Sequence, residues 1–376
     1  MTAPRTILLA PDKFKGTLTA AEVCDALERG IASTARDTRV LRCPIADGGD
    51  GTVEAALSAG FEERISEVEG PTGEGVRARW ALRGPDAVLE LAEASGLRVL
   101  PGGRLAHDRA STAGLGELIL AARDAGARRI LVGIGGSSST DAGAGVLAAL
   151  GARLLDTDGA DIAPGAAGLA TLASADLTPA RAALEGVELV AACDVTNPLT
   201  GPEGAAAVYG PQKGLAAARI PEVDAVLAHA GEILDPSGLL ARRPGAGAAG
   251  GTGFALYALG ASFEAGADAV LDLLGFDEAL VRADAVVIGE GKLDAQTLQG
   301  KGPAEVARRA RAAGAEVLAV AGAVTLAPAQ LAEAGIGRTY DLLSRSADLA
   351  EAIARGPELL EQIGAEIGAH AARPPA

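Results

Sequence analysis

Short apolar runs, polar glycine-rich loops and helical segments follow one another in a fixed order at both ends of the chain. This order constrains the fold more than any other feature. The run ILLA at residues 7–10 is closed by Pro11-Asp12-Lys13, the pattern of a buried strand feeding a loop. Thr19 then opens a helical pattern through Val23, Leu27 and Ile31, and Glu22 three residues on completes a capping box. The cycle repeats as TRVLRCPI, ADGGDG and TVEAALSAG, and returns near residue 284 as ADAVVIGEGKLD, GPAEVARRARAAG and AEVLAVAG. Strand, loop and helix in that order specify a parallel α/β sheet.

The middle of the chain reads differently. Residues 61–92 alternate in short strands with Gly/Pro turns, which suits antiparallel or mixed sheet. A helix (TAGLGELILAARDAG), a strand (RRILVGI), the segment GGSSSTDAGAGVLAALGA and a strand within VELVAACDV follow. We expect an α/β fold with two domains. A discontinuous Rossmann-like parallel-sheet domain comes from both chain ends, 1–70 and 284–376, and a mixed α/β domain is inserted at 71–283. A length of 376 residues suits two cores. The C-terminus reads as a surface helix with a Pro tail.

Composition removes several function classes. The formal charge of −16 disfavours nucleic acid or an anionic membrane as partner. Cys24, Cys43 and Cys193 show no CxxC or Cys/His spacing, which argues against a disulfide framework or structural zinc. MTAPRTILLA lacks a signal-peptide layout, and no apolar run reaches membrane-spanning length. The expectation is a soluble, cytoplasmic protein. Of the 33 Lys and Arg, only Lys13, Lys15, Lys213, Lys292 and Lys301 are lysine. Where a chain fills generic cationic positions with Arg, a retained Lys marks a need for a compact point charge. All five lie in segments rich in Gly, Pro or Asp.

In open parallel sheets ligands bind beyond the carboxyl ends of strands. The loops there carry Asp12, Lys13 and Lys15; Asp47 and Asp50; Gly135-Gly136-Ser137-Ser138-Ser139-Thr140-Asp141; Asp194 and Asn197; and Glu290, Lys292 and Asp294. Carboxylates, lysines, hydroxyls and glycines together suit phosphoryl transfer. That reaction needs cations and N–H groups around phosphate, Mg²⁺ on carboxylates, and a base for the acceptor hydroxyl. GxSxG, HExxH and GxxxxGK[ST] are absent.

Gly135 to Ser139 read as a phosphate cradle ahead of a helix; the competing reading is a small-residue cap packing that helix on the sheet. Asp47 and Asp50 also suit plain turns, and Asp194 an Asx turn beside Asn197-Pro198. Glu290 and Asp294 bracket Lys292 in a loop. Lys213 is a substrate contact or the neutraliser of a carboxylate. Gly245–Gly250 matches GxGxxG, but no β-like run precedes it. It reads as a mobile Gly-rich loop before a helix TGFALYALG, with a nicotinamide-dependent dehydrogenase as the alternative. A non-catalytic phosphate-binding protein is a further alternative.

LLAPDKFKGTLTAAEV, PIADGGDGTVEA, GIGGSSSTDAGAG, CDVTNPLTGPEGAAAVYGPQKG, GAGAAGGTGFAL and VVIGEGKLDAQTLQGKGPAEVA resemble, in order, the signatures of the bacterial glycerate kinase family of glycerate 2-kinase type. The resemblance implies ATP-dependent phosphorylation of D-glycerate with Mg²⁺, and a site in the cleft between two α/β domains. Placed on these motifs, Asp194 is the expected base and Lys292 its catalytic companion. Lys13, Lys15 and Gly135 to Ser139 are expected at the ATP phosphates, and Asn197, Glu290 and Lys213 at the substrate. Asp47 and Asp294 are the expected metal ligands.

Overall fold

A computed structural model of the chain describes residues 5–14, 16–46, 48–49, 51–295, 297–299 and 302–372. In chain order the strands are β1 (Thr6–Pro11), β2 (Arg39–Arg42), β3 (Glu62–Glu69), β4 (Gly75–Arg83), β5 (Asp86–Glu90), β6 (Arg129–Gly133), β7 (Arg153–Leu155), β8 (Ser174–Asp176), β9 (Glu188–Ala192), β10 (Ser262–Glu264), β11 (Ala285–Leu293), β12 (Glu316–Val324) and β13 (Arg338–Asp341). The chain divides into two compact units. One is Met1–Asp47, Glu54–Gly60 and Ala267–Ala376; the other is Gly48–Val53 and Phe61–Gly266.

The first unit holds a five-stranded sheet in the order β13-β12-β11-β1-β2, with every pair parallel. Ile7, Leu8, Leu9 and Ala10 are all fully buried, as befits a parallel strand covered on both faces. The helix Ala20–Thr34 starts where the capping box requires. Glu22 N–H donates to Thr19 Oγ1 at 3.2 Å, and Thr19 N–H donates to Glu22 Oε2 at 2.8 Å.

The C-terminal helix departs from the expected surface helix. Gly356–Ala371 buries Leu359, Leu360, Ile363 and Ile367 in the same core as Val23, Leu27 and Ile31. The reason is glycine: a Cβ on Gly30 would lie 2.0 Å from the carbonyl oxygen of Glu361, so the two helices touch backbone to backbone.

The second unit holds a six-stranded sheet in the order β10-β9-β6-β5-β4-β3. Its first four strands are parallel, while β4 and β3 run antiparallel to their neighbours. Trp80 sits in this core and donates from Nε1 to Ser66 Oγ at 3.0 Å. A small antiparallel pair, β7 with β8, lies apart.

The unit bounds fall at 60/61 and 266/267, where the sequence pattern suggests 70/71 and 283/284. Two contacts account for the difference. β3 pairs with β4 along its full length, from Glu62–Leu82 to Glu69–Gly75, which takes 61–70 into the second unit. Residues 267–283 are tied to the first unit by Arg309. Its guanidinium donates to Asp268 at 2.6 Å, Asp272 at 2.6 Å and Asp277 at 3.3 Å, while Glu305 holds Nε at 2.9 Å.

Candidate functional site

In the second unit the parallel strands β5, β6, β9 and β10 end together at Glu90, Gly133, Ala192 and Glu264. The loop after β6 is the proposed cradle. Gly136 is exposed and Gly135 half-exposed, so their backbone is open to a ligand. The serine side chains turn inward instead, a correction to the expectation that all three hydroxyls face phosphate. Ser138 Oγ donates to the Ser95 carbonyl at 2.8 Å, Ser137 Oγ donates to the Ala249 carbonyl at 3.2 Å, and Ser137 and Ser139 hydroxyls lie 3.2 Å apart. The paired strands β5 and β6 bring Ser95 and this loop together, and Ala249 reaches them from the start of the helix Ala248–Ala258, which the local sequence does not reveal. Two hydroxyls keep spare capacity: Thr140 Oγ1 and Ser95 Oγ are buried with no hydrogen-bond partner among the described residues.

Asp141 closes the loop and is fully buried. Its carboxylate accepts from Thr112 N–H at 2.9 Å, Thr112 Oγ1 at 2.8 Å, Gly143 N–H at 3.2 Å and Gly145 N–H at 3.2 Å. Lys213 is the second correction. It is only 1% exposed, so its ammonium does not face solvent where a substrate would arrive. It donates to the carbonyl of Ser139 from behind the loop. Burial pushes the ammonium down to about 7, against the opposing pull of Asp141.

Asp194 follows β9 and is exposed; its Oδ1 accepts from Gly266 N–H at 2.7 Å, which fixes the carboxylate's direction. Asn197, expected at the substrate, is half-buried and bonds within its own loop. Its Nδ2 donates to the Glu203 carbonyl at 2.8 Å and its Oδ1 accepts from Tyr209 OH at 2.6 Å. The amide therefore shapes the loop between Asp194 and Tyr209.

Gly245–Gly250 is preceded by a 3₁₀ turn, Leu240–Arg242, and not by a strand. The dinucleotide reading lacks its required context. Nor is the segment a loose loop: Gly245 to Ala248 and Gly250 are buried, and Ala249, Gly250 and Gly251 are left-handed in succession. Helical geometry resumes only after Gly251, close to the expected start of TGFALYALG.

In the first unit, Asp12 and Lys13 follow β1, and Asp12 N–H donates to the Gly289 carbonyl at 2.8 Å. Glu290 and Lys292 are not in a loop, as the sequence suggests. β11 continues through Leu293 because β12 runs alongside it, Glu290 opposite Ala321 and Lys292 opposite Ala323. The two side chains, at alternate positions, therefore share a face of the strand. Lys292 Nζ pairs with Asp294 Oδ2 at 3.2 Å, with side chains 60% and 26% exposed. Lys13, Glu290, Lys292 and Asp294 thus sit at one end of one sheet. Lys15, Asp47, Asp50 and Lys301 lie outside the described residues.

Glu90 is a residue the sequence reading passed over. It is 2% exposed and accepts from Val53 N–H at 2.7 Å and Gly51 N–H at 3.1 Å, anchoring the glycine loop before the helix Thr52–Ser58. A carboxylate ending the apolar run DAVLE was the available signal. The second unit also holds a pocket of about 370 Å³ beside the helices Ala113–Asp124 and Ala144–Ala149. Glu69, Glu117 and Asp161 line it. Burial and the charges of Glu117 and Glu74 push the Glu69 carboxyl up, so the pocket repels anions and does not suit a phosphate. Among the described residues no three His, Cys, Asp or Glu side chains cluster for a metal.

Parallel sheets whose strand ends carry a glycine-serine loop, lysines and an oriented carboxylate are the equipment of a small-molecule phosphotransferase. The model of the glycerate kinase family matches residues 7–372. A glycerate kinase of Bacillus subtilis (strain 168) is 40% identical over 96% of this chain and 97% of its own length. A glycerate 2-kinase of Escherichia coli (strain K12) is 40% identical over 92% of each. A crystal structure from Salmonella typhimurium LT2, provisionally called glycerate kinase 2, superposes with a TM-score of 0.87 at 39% identity, over 98% of both chains. The chain belongs to the glycerate kinase family.

Proposed function

We propose that this chain transfers the terminal phosphoryl group of ATP to a hydroxyl of D-glycerate, with 2-phosphoglycerate formed in preference to 3-phosphoglycerate. The observation that carries the reading is the family match over residues 7–372, together with relatives named glycerate kinase and glycerate 2-kinase that cover nearly the whole chain.

Chemistry assigns the roles. The glycerate hydroxyl oxygen attacks the γ-phosphorus, its proton passes to the Asp194 carboxylate, and the bond from γ-phosphorus to the bridging oxygen breaks to leave ADP. Asp194 suits this role because it is exposed, follows a parallel strand and is oriented by the Gly266 N–H. The exposed Gly135-Gly136 backbone would offer its N–H groups to the phosphates. Lys13 and Lys292 would balance charge on phosphate or on the glycerate carboxylate, with Lys15 as a further candidate.

Mg²⁺ usually takes one or two carboxylates and completes its shell with phosphate oxygens and water. Asp294, partly exposed at the end of β11, fits that requirement; with Asp47 it would hold the ion. The ion would neutralise charge on the phosphates as the bond breaks. Lys292 beside Asp294 tempers the carboxylate's charge before nucleotide arrives.

The setting belongs to the same reading: a cytoplasmic enzyme acting on dissolved small molecules. No helix among the described residues is long and apolar enough to cross a membrane. Buried Cys24 and Cys43, with thiols pushed up to about 12 by burial, are inert toward oxidants. The test is a coupled ADP-release assay with D-glycerate, and with lactate and L-glycerate as controls. Turnover that depends on D-glycerate is expected; release indifferent to the acceptor would overturn the reading.

A further inference from the structure

The Gly135–Asp141 loop is held from behind by a small and unusual piece of backbone. Among the described residues, only Ala142 and Ala249 are left-handed without being glycine, with φ of 51° and 54°. They belong to one contact. Ala142 N–H donates to the Gly250 carbonyl at 3.0 Å, and a Cβ on Gly251 would lie 2.6 Å from Ala142 Cα. Such strain persists only where surrounding structure enforces it, and it gathers at sites that must be held in one shape.

Lys213 stands at the centre of this contact. Its ammonium donates to the Ser139 carbonyl, and Gly250 passes so near that a Cβ there would lie 2.8 Å from Nζ and 2.0 Å from the Ser139 oxygen. Asp141, two residues on, is the one charged group among the described residues whose field supports the ammonium. Close approach of Gly250 to Nζ and to the Ser139 oxygen suits the compact point charge of a lysine.

We propose that Lys213 is a positioning residue for phosphoryl transfer: its buried ammonium holds the Ser139 carbonyl and locks the Gly135–Asp141 loop against the Ala249–Gly251 turn, in the shape that receives the nucleotide phosphates. The inference rests on the reading of that loop as the phosphate loop. Lys213 touches no substrate. It acts through the Ser139 peptide, whose carbonyl it holds and whose neighbouring N–H groups it thereby aims.

Two measurements test it. Lys213→Met keeps the volume and removes the charge. Losing a charge-assisted hydrogen bond that sets the loop should raise the KM for MgATP about tenfold or more, with the KM for D-glycerate moved less than about threefold. A merely structural role would lower kcat through the active fraction and leave both KM values in place; that result overturns the proposal.

The second measurement uses the wild-type enzyme and does not depend on how the variant folds. With five lysines in the chain, ¹³C label at lysine Cε gives a spectrum of five signals. One signal should titrate near pH 7 and move on saturation with MgATP. No signal titrating near pH 7, or one that ignores MgATP, overturns the proposal. Wild-type enzyme without D-glycerate-dependent ADP release would end the kinase reading separately, and the response to MgATP would still decide the role of Lys213.

Discussion

The carbonyl of Ser139 and the α-carbon of Gly250 pass so close that no side chain fits between them: a Cβ on Gly250 would stand 2.0 Å from the Ser139 oxygen. Gly250 is also left-handed, at φ 72°. Gly186, in the same unit, is left-handed at φ 76° but has open space around its missing Cβ. The pair separates conformational strain from steric exclusion. Gly186→Ala should cost roughly 1–2 kcal/mol, the left-handed penalty alone. Gly250→Ala should cost at least about 1–3 kcal/mol more, because backbone must move. Urea unfolding of both variants checks this, and equal losses would refute the close approach.

Asp194→Asn keeps an oxygen for the Gly266 N–H and removes the base. It should cut kcat by about 10²-fold or more, with the melting temperature close to that of the wild type. Steady-state kinetics beside a thermal melt decide it; near-normal turnover would remove Asp194 from the role.

Burial of Lys213 makes stability depend on pH in a definite direction. Its folded-state value lies near 7, below the ordinary 10.5. Between those values the unfolded chain holds more protons, so this group's destabilising contribution is full below about pH 7 and fades as pH rises toward 10.5. The stability of wild type relative to Lys213→Met should therefore rise across that range. A flat difference in urea midpoints from pH 7 to 10 would contradict the buried ammonium.

Local signals made part of this fold legible. The Thr19–Glu22 box depends on residues three apart, and the structure forms it as the sequence indicates. The parallel grammar of both chain ends is likewise written in short segments. What escaped depends on distant partners. Nothing in GEGKLD tells that β11 runs on through Lys292; the β12 ladder decides that. Nothing in GPQKG tells that Lys213 turns inward, because Ser139 and Gly250 make the space for it. Asn197 was legible as a polar loop residue, but its partners Glu203 and Tyr209 came only with the folded loop. The rows of small residues that sink the C-terminal helix into the core read as surface composition until Gly30 is set against Glu361.

Arg309 offers a test of the first unit. Its guanidinium is 12% exposed and faces Asp268, Asp272, Asp277 and Glu305. Arg309→Met should cost about 1–2 kcal/mol, below the range for fully buried pairs because Asp272 and Asp277 are exposed. Burial raises Glu305, but hydrogen bonds from the Arg308 and Arg309 guanidiniums outweigh it and hold the carboxyl down at about 2, from 4.5. Its contribution is present above pH 4.5 and is lost as pH falls toward 2. The gap between wild type and Arg309→Met should narrow over that interval in acid-unfolding curves.

The central claim concerns which bond is made. Incubation of the enzyme with ATP, Mg²⁺ and D-glycerate, read by ³¹P NMR, should give ADP and 2-phosphoglycerate in equal amounts. 3-Phosphoglycerate as the main product would contradict the assigned position, and a spectrum unchanged by D-glycerate would contradict the reaction itself.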